Sequence, residues 1–444
     1  MIETKAKLNS SPRRVPSTTI VPFGGFLIRN LINIQKKYPE IVRVRMGASR
    51  FYLVTEPSLV QEVLVTKQKS FMKGEFLQRT KKVFGEGLLT SEGEFHHSQR
   101  QLIQPAFRHD RIARYADTVT SYTWQWTENW VDGSVVDVHR ETQKLTMSIV
   151  AKCLFGAEIE KQSSQIAEDL SAAIEYFSRL SSPLSPLLTR LPSEKKYRNA
   201  LQRVDHAINK MIEVRHSSSA EEDLLSVLTA AKDEHGVPMS DKQVRDEVLI
   251  LFTAGHETTA NALTWTWYLL SQNTEARRRL EEEVDSIADA DTPIGYEQIP
   301  RLEYTAKVFE ESLRLYPPAW VLVRKATEQC TIAGYPLPNG ANIMLSQYLN
   351  HHNPKYFTDP EEFKPERWTK QMRESLPRYA YFPFGGGARS CIGEPFARME
   401  AVLVLANISS RWRMSHVEGH KVEMLPRITL RPRYGMLMKL ERRR

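Results

Sequence analysis

Phe384-Gly-Gly-Gly-Ala-Arg-Ser-Cys-Ile-Gly393 sets one cysteine, Cys391, where a glycine-rich turn runs into an apolar helical stretch. Such a place favours thiolate over thiol, because backbone N–H groups and the positive end of a helix surround the sulfur. The other two cysteines, Cys153 and Cys330, are remote from it and from each other. The three therefore make neither a paired zinc site nor a disulfide framework, and a reducing, cytoplasmic setting is expected. A single stabilised thiolate points to a catalytic nucleophile or a metal ligand, and the loop alone leaves both open.

Outward from the loop the chain reads as mostly helical with a minor sheet. Apolar periodicity predicts helices over Ser98–Phe107, Asp117–Val131, Glu141–Leu154, Gln165–Arg179, Glu194–His216, Ser240–Gln272, Thr274–Ala288, Tyr304–Leu315 and Glu394–Arg413. Alternation at Ile41-Val-Arg-Val-Arg45 and the run Phe51-Tyr-Leu-Val54 predict strands. Further short strands are expected at Ala326–Ile332, Asn342–Ser346 and Ile428–Leu440. The elements do not alternate as βαβα, and the glycines at 385–387 lack the G-x-G-x-x-G spacing, so a doubly wound nucleotide fold is disfavoured.

The 444 residues are 41% hydrophobic and 26% charged, as in ordinary globular proteins. Length alone suggests two or three domains, although neither repeat nor long linker divides the chain. No apolar run is long enough for a transmembrane anchor, and Met1–Val15 lacks the apolar core of a signal peptide. Ile20–Ile34, broken by Pro22, Gly24, Gly25 and Arg29, reads as a docking segment or a short amphipathic helix. The formal net charge of +8 reads first as a solvated surface and second as a docking face for an acidic protein. No recognition motif accompanies it, so nucleic acid is not expected.

Two more motifs stand out. In the longest predicted helix, Ala254-Gly-His-Glu-Thr-Thr259 puts a glycine and two threonines where a helix disfavours them. Ala254 and Thr258 share a face: a small residue admits a large group, and a hydroxyl one turn later can bond it. Threonines back-bonded to helix carbonyls are the plainer reading. Glu311-Ser-Leu-Arg314 spaces an acid and a base for pairing on one helix face. Downstream, Arg367 in Phe363-Lys-Pro-Glu-Arg-Trp368 offers itself to the same network.

Taken in order, the acid–threonine helix, the Glu-x-x-Arg helix and Phe-x-x-Gly-x-Arg-x-Cys-x-Gly closely resemble the cytochrome P450 family of haem-thiolate monooxygenases, from about Ile20 to the end. The resemblance implies a P450-like fold, mainly α with a minor β region, with residues 1–444 as a single catalytic domain whose N-terminal segment, 1–19, is flexible. Haem b (iron protoporphyrin IX) would lie between the long acid–threonine helix and the cysteine loop. Cys391 would be the proximal metal ligand, Phe384 its packing partner, and Gly387 and Gly393 the residues permitting the tight turn. Arg389, Arg324, His96 and Arg100 would hold the propionates, the last two through Phe95-His-His-Ser-Gln-Arg100. The histidine pairs 96–97 and 351–352 have no matching ligand set for a separate metal site. Ala254 and Gly255 would open the dioxygen groove, Thr258 would hydrogen-bond dioxygen, and Glu257 would relay protons. Glu311, Arg314 and Arg367 would be architectural.

The same resemblance implies insertion of one oxygen atom of dioxygen into a hydrophobic small molecule, by hydroxylation or epoxidation. Electrons would come from a separate ferredoxin or flavodoxin type donor with its reductase, and the enzyme is expected to be a monomer. The substrate is expected to meet Phe76, Leu77, Ile250, Thr253, Ala319, Trp320, Val321 and Leu322, together with Leu184, Leu187 and Leu188 of the connection 180–192. Such a lining suits a fatty acid, a terpenoid or a steroid-like molecule, with Lys73, Arg79 or Arg190 available to a carboxylate. The rival readings are a peroxide-driven haem-thiolate peroxygenase and a non-catalytic haem sensor or carrier. The Glu257–Thr258 pair speaks against the first, and that pair with the propionate set against the second.

Overall fold

Alternation at Ile41–Met46 buries every second side chain from Val42 to Met46, and this strand pairs antiparallel with Ser49–Val54. Gly47, at φ +59°, makes the turn between them. The computed structural model describes residues 16–20, 27–47, 49–156, 169, 172, 193–217, 223–233, 236–289 and 291–443. The chain divides into two compact units interleaved in sequence: Met1–Glu75, Ala319–Glu362 and Lys370–Cys391 make one, and Phe76–Pro318, Phe363–Thr369 and Ile392–Arg444 the other.

The first unit is built on a six-stranded sheet in the order Ser17–Ile20, Ile41–Met46, Ser49–Val54, Asn342–Leu345, Leu322–Ala326, Phe71–Lys73. Its core gathers Val54, Leu59, Val60, Leu64, Ile343 and Leu345 with Tyr379 and Phe382. The last two lie just before the cysteine loop, so the sheet core anchors that loop. A helix over Leu27–Lys37 occupies the end of the segment read as amphipathic. The strand expected over Ala326–Ile332 is two strands, Leu322–Ala326 and Cys330–Ile332, separated by a bend at Thr327–Glu328.

Helices make the second unit. Asp241–Gln272 runs unbroken for 32 residues. Ser240 starts it with a capping box: its hydroxyl accepts the Gln243 N–H, and Gln243 Oε1 accepts the Ser240 N–H at 2.8 Å. From Thr259 to Trp267 every residue is buried, so this half of the helix is enclosed on all sides. It packs on Val138–Phe155, which Asp137 caps through the His139 N–H. Glu394–Arg411 packs on His109–Glu128. A three-stranded sheet (Trp412–His416, Leu437–Arg442, Val135–Asp137) and the hairpin Met424–Pro426/Leu430–Pro432 complete the unit.

The helix Leu224–Ala230, capped by Asp223 and too short at seven residues for apolar periodicity to declare itself, and the ten-residue helix Glu75–Phe84 were not predicted. The predicted helix Gln165–Arg179, apart from Asp169 and Ala172, lies outside the described residues. So do the connection 180–192 with Leu184, Leu187, Leu188 and Arg190, and residues 1–15. Among the described residues, no helix is long and apolar enough to cross a membrane.

Candidate active site

In the first unit, the cysteine turn is closed by its own backbone. The Cys391 N–H donates to the Phe384 carbonyl at 2.9 Å and Gly385 N–H to Phe382 O at 2.9 Å. The Cys391 amide thus serves the turn and not the sulfur. Gly387 has φ +67°, and a Cβ there would stand 1.9 Å from the Leu64 carbonyl oxygen, so only glycine fits. A Cβ on Gly386 would meet the Tyr379 ring at 2.2 Å. Of the three cysteines, Cys153 is buried, Cys330 half-buried and Cys391 exposed. Phe384 and Arg389 are half-buried.

Two supports of this turn were not anticipated. His351 Nε2 accepts the Phe382 N–H at 3.0 Å, and Asn350 Nδ2 donates to the Tyr379 carbonyl at 3.3 Å. The second histidine of that pair, His352, stacks on Tyr348 and bonds its carbonyl at 2.8 Å. Both histidines are therefore occupied in holding backbone.

Arg324 lies buried on its strand, directly opposite buried Lys73 on the neighbouring antiparallel strand. Two cationic side chains thus stand together on one face of this sheet. The stretch Ala319–Leu322 enters the same strand. Trp320 is buried, its carbonyl accepting from Ser346 Oγ at 2.9 Å, while Ala319, Val321 and Leu322 are half-buried.

In the second unit, Glu311 and Arg314 are wholly buried on the helix Glu303–Leu315. Glu311 accepts five hydrogen bonds: Arg314 Nε (3.0 Å) and Nη2 (2.8 Å), Arg367 Nε (2.8 Å), the Lys364 amide (3.0 Å) and Trp368 Nε1 (2.9 Å). Trp368 was missed, although it follows Arg367 directly.

On the long helix, Ala254 is exposed and Thr258 half-buried. Thr258 Oγ1 donates to the Ala254 carbonyl at 2.7 Å, and Thr253 Oγ1 to Leu249 O at 2.7 Å, so the back-bonded arrangement is realised. A Cβ on Gly255 would come within 3.2 Å of Val150 Cγ2, so this glycine lets two helices approach closely. Glu257 is buried, and its Oε1 accepts the Thr429 hydroxyl at 2.7 Å. His96 is buried and Arg100 half-buried on the helix Gly93–Ile103, one turn apart. A Cβ on Gly393 would touch the Phe107 ring at 3.6 Å.

Ile250 is buried and Thr253 half-buried; Phe76 and Leu77 stand in the first turn of Glu75–Phe84. One turn before Ile250, Glu247 accepts the Leu88 N–H at 2.8 Å, and neighbouring Asp246 accepts the Glu86 N–H at 2.9 Å. Two adjacent acids thus tie the loop after Glu75–Phe84 to the long helix. Burial pushes the Glu247 carboxyl up to about 8.

The family model described as cytochrome P450 matches residues 17–439. The chain belongs to the cytochrome P450 family. Cyclooctatin synthase of Streptomyces melanosporofaciens is 38% identical over 397 residues, covering 88% of this chain and 86% of that one. Cyclooctat-9-en-7-ol 5-monooxygenase of the same organism is 34% identical, covering 94% of each. Pentalenene oxygenase of Streptomyces avermitilis is 32% identical, covering 85% and 84%. The crystal structure of the cytochrome P450DA heme domain superposes with a TM-score of 0.88, at 23% identity, over 97% of this chain and 99% of that one. With these relatives, the chain is an enzyme of the monooxygenase type.

The family implies a haem, and the residues present fit one. The first unit offers an exposed thiol on a turn that tolerates no side chain at Gly387, and a buried cation pair suited to carboxylates. The second offers exposed Ala254 between buried Phe252 and His256 in the middle of the long helix, with His96 and Arg100.

Proposed function

We propose that residues 1–444 act as one catalytic domain that oxygenates an apolar terpenoid, with haem b as cofactor. The observation carrying this reading is the exposed thiol of Cys391 on its glycine-walled turn. Bound haem supplies the oxygen activation. The balance is R–H + O2 + 2 electrons + 2 protons giving R–OH + H2O.

Cys391 Sγ ligates the iron, and Phe384 shields the sulfur. Arg389, Arg324, His96 and Arg100 hold the propionates, joined by Lys73. Ala254 and Gly255 would leave room for dioxygen, Gly387 and Gly393 would permit the cysteine turn, and the Thr258 hydroxyl, which here gives its one proton to the Ala254 carbonyl, would turn that proton toward dioxygen. Glu257 Oε2 passes protons inward while Oε1 stays on Thr429. Glu311, Arg314 and Arg367 hold the architecture.

Leu77, Ile250 and Thr253 in the helical unit, and Ala319, Trp320, Val321 and Leu322 in the sheet unit, meet the substrate, with Phe76 assigned from its position in the chain. A terpenoid ranks ahead of a fatty acid because relatives are named for oxygenating pentalenene and cyclooctat-9-en-7-ol, and a third for making cyclooctatin. A separate ferredoxin or flavodoxin, with its reductase, supplies electrons to a cytoplasmic monomer.

The test is the spectrum of the dithionite-reduced protein under carbon monoxide, followed by ligand titration. A strongly red-shifted Soret band, lost in Cys391→Ala, supports thiolate ligation, and a histidine-type band in the native protein refutes it. Polycyclic olefins should shift the spin state where long-chain fatty acids do not; the reverse result would replace the substrate class.

A further inference from the structure

We propose that Thr429, Asn261 and His139 form a side arm that positions Glu257 for proton transfer. The proposal rests on the reading above in which Glu257 serves oxygen activation. Thr429 sits in the hairpin Met424–Pro426/Leu430–Pro432, 172 residues from Glu257 in sequence, and its hydroxyl donates to Glu257 Oε1 at 2.7 Å. Asn261 stands one turn beyond Glu257 on the long helix, on the same face. Its Nδ2 donates to Thr429 Oγ1 at 3.2 Å. Its Oδ1 lies 3.0 Å from His139 Nε2. An amide oxygen only accepts, so the ring nitrogen carries the proton.

The donors therefore run in one direction: His139 to Asn261, Asn261 to Thr429, Thr429 to Glu257. A hydroxyl has one proton to give. With its oxygen already accepting from Asn261, Thr429 gives that proton to the carboxylate. The arm fixes Oε1 and leaves Oε2 as the oxygen that exchanges protons.

All four side chains are buried. A buried polar chain is costly unless every member is bonded, and apolar residues fill the helix immediately beyond, at Ala262 and Leu263. Packing alone does not require polar groups here. The far end is anchored as well: Asp137 Oδ1 accepts the His139 N–H at 3.1 Å and the Met436 N–H at 2.9 Å. That carboxylate lies so close to Gly435 that a Cβ there would stand 2.4 Å from it. Burial holds His139 below the usual histidine range, which keeps the ring neutral and its single N–H on the arm. Thr429 acts through Glu257, so it is a positioning residue.

The experiment compares holoenzyme carrying Thr429→Val, Thr429→Ser, Glu257→Gln and the double variant Glu257→Gln/Thr429→Val. Product per electron pair should fall about threefold or more in Thr429→Val, with hydrogen peroxide making up the difference, and should return in Thr429→Ser. The reduced carbon monoxide band and the substrate-induced spin shift should stay as in the native enzyme. The double variant should be no less coupled than Glu257→Gln alone. Independently of turnover, the infrared carboxyl band that Glu257→Gln removes should move in Thr429→Val. If Glu257→Gln uncouples while Thr429→Val couples normally, the arm is refuted and the role of Glu257 stands. If neither uncouples, the role of Glu257 fails and the arm with it. Failure of serine to rescue, with loss of the spectral band, would reduce Thr429 to a packing role and overturn the proposal.

Discussion

Glu311 and Glu257 are both buried helix carboxylates of the same unit, yet they are held in opposite ways. Glu311 takes two guanidinium groups, an indole and an amide, five donors in all. Glu257 is met at Oε1 by a neutral hydroxyl. A carboxylate satisfied by fixed cations is locked in charge and place, because losing either partner strands the other in low dielectric. One steadied at a single oxygen by a neutral donor keeps its position while its second oxygen can gain or lose a proton. In the proposed function the same side chain would thus serve as a structural post at Glu311 and as a proton carrier at Glu257, according to what surrounds it.

The largest effect is expected at the post. Glu311→Ala removes the carboxylate from two buried guanidinium groups and should destabilise the fold by about 3–5 kcal/mol, read as a drop in chemical-denaturation midpoint or as failure to accumulate folded protein. Near-native stability would erase the distinction between the two acids. Glu257→Gln should do the reverse. Stability should change by less than about 1 kcal/mol, since the amide oxygen still accepts from Thr429, while product formation falls by about 100-fold. Steady-state oxygenation measured beside thermal unfolding checks both halves. A smaller loss is expected from Trp368→Phe, which deletes one hydrogen bond to the ionised Glu311. It should cost about 1.5–3 kcal/mol and leave turnover per folded molecule unchanged.

The post was more legible in sequence than the carrier's surroundings. Glu311 and Arg314 are one helical turn apart, and the cysteine loop is ten consecutive residues, so periodicity and glycine chemistry expose both. The mostly helical fold with a minor sheet followed from the same periodicity. What remained hidden depends on strand register and on contacts between distant segments. Lys73 meets Arg324 only because two strands pair in one register. Thr429 reaches Glu257 across 172 residues, and His351 braces Phe382 from a helix that shows no periodic signal. Besides Trp368, the adjacent acids Asp246 and Glu247, just before the apolar run Val248–Phe252, are a signal the sequence carries, and they mark where a loop is tied down.

Glu247 breaks the two-way comparison, because it is buried with backbone amide support and, among the described residues, pairs with no cation at its own carboxyl. Burial raises it to about 8 from an ordinary value of 4.5, and Glu400, also buried, is raised to about 8 for the same reason. Between those values the folded chain keeps a proton that the unfolded chain has released. The unfolded state then binds fewer protons, so stability falls as pH rises through the window, by up to about 1.4 kcal/mol per pH unit for each group. It is fully present below the ordinary carboxylate value and lost as pH passes through 8. Glu247→Gln keeps an acceptor for the Leu88 N–H and removes one of the two slopes. Burial holds His139, His256 and His416 below the usual histidine range, which gives a slope of opposite sign below 6.5, so the test is the difference between curves. From pH 5 to 8 the denaturation midpoint of this variant should gain on the native one, and Glu400→Gln should remove a second slope of the same sign as that of Glu247. Parallel curves for variant and native protein would mean that Glu247 is ionised in the fold, and that an amide donor suffices for what two arginines do at Glu311.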